Sequence, residues 1–491
     1  MTFNSLNYLL IFLPICVIIY YKLNNSKIRN IFLVSVSFYF YALGNIIWLL
    51  ILIISSTIDF YLGKKIDNIN QDCYNDYQNK KELLFKKKFY LILSIIFNCL
   101  LLIFFKYWNW IIDLLDSFSS INFSFLKHEY ELPWAISFYT FESLSYIIDI
   151  YRKKFKASNS LIEYLTFIAF FPKLVAGPIM RSHELIPQFR QFKNKISPRN
   201  LEFAIFLILW GIFKKIVFAD NLGHILLQAK QNLQAHGSGY IIGMAGIFYL
   251  YCDFSAYCDI ARGSAKLLSI KLNRNFLNPL LSKNSGEFFK RWNITLGKWI
   301  RDYVYISLGG NKFGKLRGFF NILITMLLFG IWHGSSTQFA LYGLYAGFFI
   351  IFYNVLKLDL ILLKFFGNFV GNVLATIIHI NTVFFGSLIF FSDNFEEFKT
   401  ASLSCLSIFE VFMSSIDLNN NLSFNKLFYG SIIFILPIFL TDIIGNRRNR
   451  EFVDLYVKFT LIKKIILYIL MFYITTIFYF QGGDKFVYFQ F

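Results

Sequence analysis

Apolar runs long enough to cross a bilayer recur along almost the whole chain. A helix needs about 20 predominantly apolar residues to span roughly 30 Å of hydrocarbon. Leu6–Leu23, Ile31–Tyr61 and Phe89–Trp110 reach or approach that length, and further candidates begin near Leu201, Tyr240, Phe319, Phe339, Ile361 (running to Phe391), Phe428 and Ile462. Pro133–Tyr151 and Ile162–Met180 are shorter or more interrupted candidates. The pattern predicts an all-α polytopic integral membrane protein with about 11 to 13 transmembrane helices, together with re-entrant or interfacial helices. The first run reads as a permanent helix rather than a signal peptide, because Met1–Tyr8 carries no Lys or Arg and no small-residue cleavage site precedes the next span.

Three stretches depart from plain membrane helix. Phe170–Arg181 holds Pro172, Gly177 and Pro178, and a straight helix cannot pass through both prolines. Broken backbone at membrane depth survives only where protein or a water-filled cavity covers it, so the stretch reads as a tight interfacial loop or as a re-entrant segment lining a site. Tyr251–Gly310 opens with Asp253, Asp259 and Arg262 inside an apolar run. Ionisable groups there are costly and face a partner or a polar interior. Pairing of Asp253 and Asp259 with Arg262 or Lys266 is the structural reading. The same stretch continues into Glu287–Tyr303, where basic and aromatic residues alternate as in an amphipathic interfacial helix. Its cations could also neutralise the phosphates of a nucleotide-bearing acyl donor. The third stretch is Gly330–Ser336, containing Trp332, His333 and Gly334. Imidazole can take and return a proton near neutral pH, and Gly334 permits close backbone approach.

Composition agrees with the pattern: 56% of residues are hydrophobic and 16% charged. The net charge of +19, from 48 Lys and Arg against 29 Asp and Glu, would raise nucleic-acid binding in a soluble protein. Here the basic residues cluster between spans, at Lys64–Lys88, Arg152–Lys156, Arg181–Lys195, Lys214 and Lys215, Lys283–Arg301 and Arg447–Arg450. Short basic loops stay on the cytoplasmic side beside anionic lipid, so the bilayer rather than nucleic acid is the expected partner, with the N-terminus outside. The six cysteines are scattered, and Cys252 and Cys258 match no zinc spacing, so no metal site is expected. His128, His183, His224 and His236 lie in polar loops, and His379 sits in an apolar run where a packed, hydrogen-bonded role is expected. No serine-nucleophile elbow, P-loop or dinucleotide fingerprint is present.

Taken in order, Ile136–Asp149, Phe171–Ile179, Asp253–Gly263, Asn275–Pro279, Phe288–Trp292, Arg301–Gly310 and Trp332-His333-Gly334 resemble the membrane-bound O-acyltransferase family, within it the AlgI- and PatA-like branch of alginate and peptidoglycan O-acetylation. The resemblance covers roughly residues 130 to 350 closely and the outer thirds in general character. It implies one transmembrane domain over 1–491: N-terminal helices (1–130), a catalytic core (131–350) and C-terminal helices (351–491) arranged as a helical ring with a central funnel. His333 corresponds to the family's catalytic histidine, at the membrane-embedded floor of that funnel. The implied chemistry is transfer of an acyl group, acetyl by resemblance, from a cytoplasmic thioester such as acetyl-coenzyme A toward hydroxyls of a cell-surface polysaccharide, with no bound cofactor. A periplasmic acetyltransferase partner and a bacterial inner-membrane location are implied as well.

Two departures stand out. The branch carries a second histidine in a Trp-His-x-Ser-Leu motif, whereas Asn293 follows Trp292 here, and an amide can hydrogen-bond but not act as a base. Ser392 follows Phe390-Phe391 where the branch commonly has arginine. The expected catalytic residues are therefore His333 and Asn293, with Trp332, Lys290, Arg291, Arg301, Asp302 and Asp253 as candidate substrate contacts. The competing readings are a transporter, which the absence of an internal repeat disfavours, and a non-catalytic acyl or lipid carrier that docks a secreted transferase.

Overall fold

A computed structural model of the chain describes residues 5–75, 79–119, 121–175, 177–191, 195–406, 422–480 and 486, and among them it is helical without a strand. The helices used below are α1 (Leu13–Lys22), α2 (Ser26–Ala42), α3 (Ile46–Asn75), α4 (Lys80–Leu102), α5 (Trp108–Phe118), α6 (Ile136–Tyr151), α7 (Leu161–Ala169), α8 (Phe171–Leu174), α9 (Ser182–Arg190), α10 (Pro198–Phe213), α11 (Asp220–Gln231), α12 (Ser238–Leu267), α13 (Ser285–Arg291), α14 (Ile294–Ile300), α15 (Lys315–His333), α16 (Thr337–Leu356), α17 (Leu358–Phe391), α18 (Phe395–Leu406), α19 (Leu422–Asn446), α20 (Phe452–Tyr456) and α21 (Leu461–Phe478). Of the described residues, eight helices are long and apolar enough to cross a membrane: Ile46–Asp72, Lys80–Phe118, Ser238–Leu267, Lys315–His333, Thr337–Leu356, Leu358–Phe391, Phe424–Asn446 and Leu461–Phe478. A shorter apolar helix covers Asn7–Lys22. The chain is a multi-pass membrane protein.

The other expected spans are short or broken. The single run Ile31–Tyr61 is two helices, because Leu43-Gly44-Asn45 turns between α2 and α3: Asn45 Oδ1 accepts from Ile47 N at 2.8 Å, and a Cβ at Gly44 would lie 3.2 Å from the Trp134 ring. The run from Leu201 becomes α10 and then a π-helical turn at Lys214–Ala219, which turns two lysines into the protein. They were expected to mark a cytoplasmic loop. Instead Lys214 is 7% and Lys215 1% exposed. The side chain of Cys73, Ala176 in the proline stretch and Lys193 in the basic cluster before α10 lie outside the described residues.

The chain packs as two compact units, one of residues 1–208 with 260–273 and one of 209–259 with 274–491. In the first unit, polar groups on α3 and α4 satisfy each other: Asp59 accepts from Ser94 Oγ at 2.6 Å and from Asn98 Nδ2 at 2.9 Å. The same unit holds the proline stretch. The backbone leaves helix after α7, makes the single turn α8, and is extended at Arg181 where α9 begins. Lys173 of α8 forms a buried ion pair with Glu142 of α6 and donates to Ile168 O at 3.1 Å. The other carboxylate oxygen of Glu142 accepts from Met180 N at 2.9 Å, and Phe171 N donates to Ser37 Oγ at 3.0 Å. A Cβ at Gly177 would sit 2.3 Å from Lys173 Cα, so only glycine allows this return. The broken segment is thus covered by its own unit rather than exposed as an interfacial loop.

In the second unit α15 and α16 form a close antiparallel pair. A Cβ at Gly330 would fall 2.2 Å from Phe339 O, and one at Gly343 2.3 Å from Met326 O, so glycines let the two backbones touch.

Removing one partner of a buried ion pair leaves an uncompensated charge and costs about 3–5 kcal/mol. Lys173→Met is therefore expected to lower the thermal stability of the detergent-solubilised protein strongly, and Glu142→Gln added to it to recover part of the loss. Melting curves of the two variants matching wild type would disprove this account of the proline stretch.

Candidate functional site

His333 is the last residue of α15, 2% exposed, and Gly334 leaves the helix in extended backbone. Its ring meets Phe329, one turn earlier, at 4.9 Å between centroids, Phe390 of α17 at 5.3 Å and Tyr342 of α16 at 6.0 Å, all edge-on. Three helices therefore fix one imidazole. Trp332 is also buried, with its ring 4.9 Å from that of His333. The room beside Gly334 is taken by the protein itself, since a Cβ there would be 2.1 Å from the Phe339 ring.

Tyr342 and Phe390 also line a cavity of about 40 Å³, closed by Phe288 and Phe289 of α13 and bearing His379 and Ser387 as polar wall groups. Of these, His379 Nε2 lies 3.4 Å from Ser285 Oγ, and its ring packs against Phe288 at 5.8 Å and Tyr353 at 5.5 Å. The cavity holds a small group and is mostly apolar, with its polar edges set by a few side chains.

Asn293 sits at the corner between α13 and α14. Its backbone is left-handed, φ 40° and ψ 57°, a conformation that asparagine tolerates better than most residues. Histidine shares that tolerance. The corner is anchored from a distance in sequence: Ile294 N donates to Asn275 O at 2.8 Å, and Thr295 Oγ1 donates to Asn275 Oδ1 at 2.6 Å. Asn293 is 2% exposed, and its Nδ2 has no hydrogen-bond partner among the described residues. Trp292, beside it, stacks on Phe288 at 5.3 Å and meets Phe276 at 5.2 Å. Phe289 reaches Phe329 at 5.5 Å, and Phe329 touches His333. Aromatic packing thus links the Asn293 corner to the helix of His333.

The remaining candidates separate. Lys290 is exposed, and Arg291 is held by Glu287 at 2.6 Å and Asn446 Oδ1 at 2.8 Å. Arg301 pairs with Asp302 at 2.8 Å in a π-helical turn at the end of α14. Asp253 is completely buried, and Lys215 Nζ lies 2.7 Å from Asp253 and 2.8 Å from Asp220. Asp259 is likewise bound by Lys214 at 2.8 Å, and Lys214 also donates to Ser255 Oγ at 2.7 Å. The sequence reading missed this network because both lysines looked like a loop cluster. At Ser392 the hydroxyl donates to Leu388 O at 2.8 Å, and a cation nonetheless stands at that corner, for Lys230 of α11 donates to Phe391 O at 2.8 Å and pairs with Asp393 and Glu397. Among the described residues no three His, Cys, Asp or Glu side chains gather as a metal site.

The family model for membrane-bound O-acyltransferases matches residues 33–358, starting well before the stretch of close resemblance read from the motifs. The probable alginate O-acetylase AlgI of Pseudomonas syringae pv. tomato is 34% identical over 351 residues, 71% of this chain and 65% of that protein. The peptidoglycan O-acetyltransferase of Helicobacter pylori is 31% identical over 382 residues, 70% of this chain and 69% of that protein. The teichoic acid D-alanyltransferase of Bacillus subtilis is 30% identical over 236 residues, 45% of this chain and 58% of that protein. The alignment with the AlgI relative thus spans about two thirds of its length, 65%. With the family model covering most of the chain and including the helix that ends in His333, this protein belongs to the membrane-bound O-acyltransferase family.

Proposed function

We propose that the chain is an O-acyltransferase that moves an acyl group, acetyl in the first instance, from a thioester donor such as acetyl-coenzyme A on the cytoplasmic side toward hydroxyls of a cell-surface polysaccharide. The observation that carries this reading is the immobilised imidazole of His333, walled by Tyr342 and Phe390, which also line a cavity sized for a short chain. Its relatives, named for alginate and peptidoglycan O-acetylation, support the acceptor class. His333 acts as general base: it takes the acceptor hydroxyl's proton as the oxygen attacks the thioester carbonyl, the C–S bond breaks, and the proton passes to the leaving thiolate. Asn293 orients substrate or its own turn through its buried amide and takes no proton. The exposed cations Lys290 and Arg301 face a donor's phosphates. In this reading the protein sits in the bacterial inner membrane and works with a periplasmic transferase that completes delivery.

O-acetyl released by mild base from purified peptidoglycan and exopolysaccharide tests the reading. Cells carrying His333→Ala at wild-type membrane level are expected to lose transfer by about 10²–10⁴-fold, the worth of a positioned base. Unchanged acetyl on both polymers would reject His333 as base and favour a carrier or transporter, and ester-linked D-alanine in the same hydrolysate would redirect the acyl group toward that of the teichoic acid relative.

Asn293→Gly keeps the left-handed backbone and removes the amide, so it is expected to insert and melt like wild type while losing at least about tenfold in transfer, one hydrogen bond's worth. Wild-type transfer in that variant would reduce Asn293 to a turn residue.

For sidedness, Lys290→Cys in a cysteine-depleted background is expected to react with a membrane-impermeant maleimide in inverted vesicles and not in intact spheroplasts. The reverse pattern would put the basic stretch outside and exclude a cytoplasmic donor there.

A further inference from the structure

The second unit contains a larger apolar cleft, remote in sequence from His333 and unused by the proposed chemistry. Its volume is about 350 Å³, many times the roughly 30 Å³ share of a water molecule. α10 and the following π-helical turn supply Trp210, Phe213, Val217 and Phe218; α19 and α21 supply two facing apolar strips. On α21 the strip is Leu467, Leu470, Met471, Ile474 and Phe478, one face of a helix. α19 runs opposite in direction, with Phe434 against Phe478 at 5.3 Å. Pro437 interrupts the backbone hydrogen bonding of α19 in the middle of the cleft. Ile433 and Leu470, 55% and 51% exposed, flank an opening on the outer surface of the helices. Thr441 is the one hydroxyl-bearing residue of the lining.

The lining reaches Thr441 near the end of α19, Phe452 at the start of α20 and Leu467 in the first half of α21. The chain leaves α19 as Arg447-Arg448-Asn449-Arg450 and enters α21 with Lys463 and Lys464, with Lys458 between. Arg447, Arg448, Arg450, Lys458 and Lys463 are exposed and form no ion pair among the described residues. The arginine turn is nevertheless fixed: Arg448 N and Arg450 N both donate to Gly445 O, at 3.0 and 3.1 Å, and Arg450 O accepts from Asn278 Nδ2 at 2.9 Å. A Cβ at Gly445 would lie 2.6 Å from Arg450 O, so glycine is what permits the fold-back. The nearest carboxylates are already engaged, for Glu451 and Asp454 form the capping box of α20 and Asp454 pairs with Arg274 at 3.3 Å.

An apolar cleft of this size, opening sideways and ending at a preformed cationic turn, has the two halves of one ligand chemistry. We propose that it is a binding site for an anionic phospholipid, with an acyl chain along Phe434, Ile438 and Leu467 and the phosphate on Arg447, Arg448 and Arg450. Basic clusters at the cytoplasmic end of a span meet the anionic leaflet, and each Lys or Arg near the surface is worth about 1 kcal/mol, close to a fivefold change in occupancy.

The test is native mass spectrometry of the full-length protein with phosphatidylglycerol and phosphatidylcholine of identical chains. Wild type is expected to retain phosphatidylglycerol at least about fivefold more, and the Arg447→Gln/Arg448→Gln/Arg450→Gln variant to lose that preference while still binding both lipids weakly. Ile438→Trp, which fills the cleft, is expected to reduce retention of both. Glycerol phosphate in excess should not displace the lipid. Equal retention of the two lipids by wild type, an unchanged preference in the triple variant, or displacement by glycerol phosphate alone would overturn the proposal. If Ile438→Trp fails to fold, the arginine variant, which alters only exposed side chains, still decides. Acyl transfer is read separately, so a failed lipid site leaves the transferase reading standing.

Discussion

In hydrocarbon a backbone amide or a charge has nothing to bond except the protein, and that constraint underlies every unusual feature of this chain. Most of the sequence meets it by continuous helix. Where the helix breaks, at Pro172 and Pro178, the freed groups are taken up by Ser37, Glu142 and Lys173. Where charges enter, at Lys214, Lys215, Asp253 and Asp259, each ammonium is matched by a carboxylate within 2.8 Å. These pairs are weak evidence for extra stability, since hydrophobic replacements of the same shape could serve, but none of their members can be removed alone without penalty.

The same constraint frames the site. An imidazole buried at the end of α15 is useful for proton transfer only if its position is fixed, and the glycine contact between α15 and α16 does part of that fixing by bringing the two backbones together below it. Rings from three helices complete the enclosure. The Asn293 corner depends on a different device, a left-handed residue anchored by Asn275, and is linked to the histidine helix through packed aromatic rings. The left-handed backbone of that corner suits a residue such as asparagine.

Hydrophobic length and periodicity determined the class of this protein by themselves: a multi-pass helical membrane chain, with its breaks near Phe170–Arg181 and Tyr251–Gly310, follows from local composition because lipid leaves so few alternatives. The ordered motifs around Trp292 and His333 were equally legible, since each is a short run of residues. What the sequence did not determine was pairing. Lys214 and Lys215 read as a loop cluster rather than as partners of Asp253 and Asp259, and Glu142 and Lys173 drew no attention as a pair, because a charge's partner depends on which helices meet. Tertiary structure alone decided those meetings, the enclosure of His333 by Tyr342 and Phe390, and the cleft that ends at Arg447–Arg450, for each joins residues brought together only by packing.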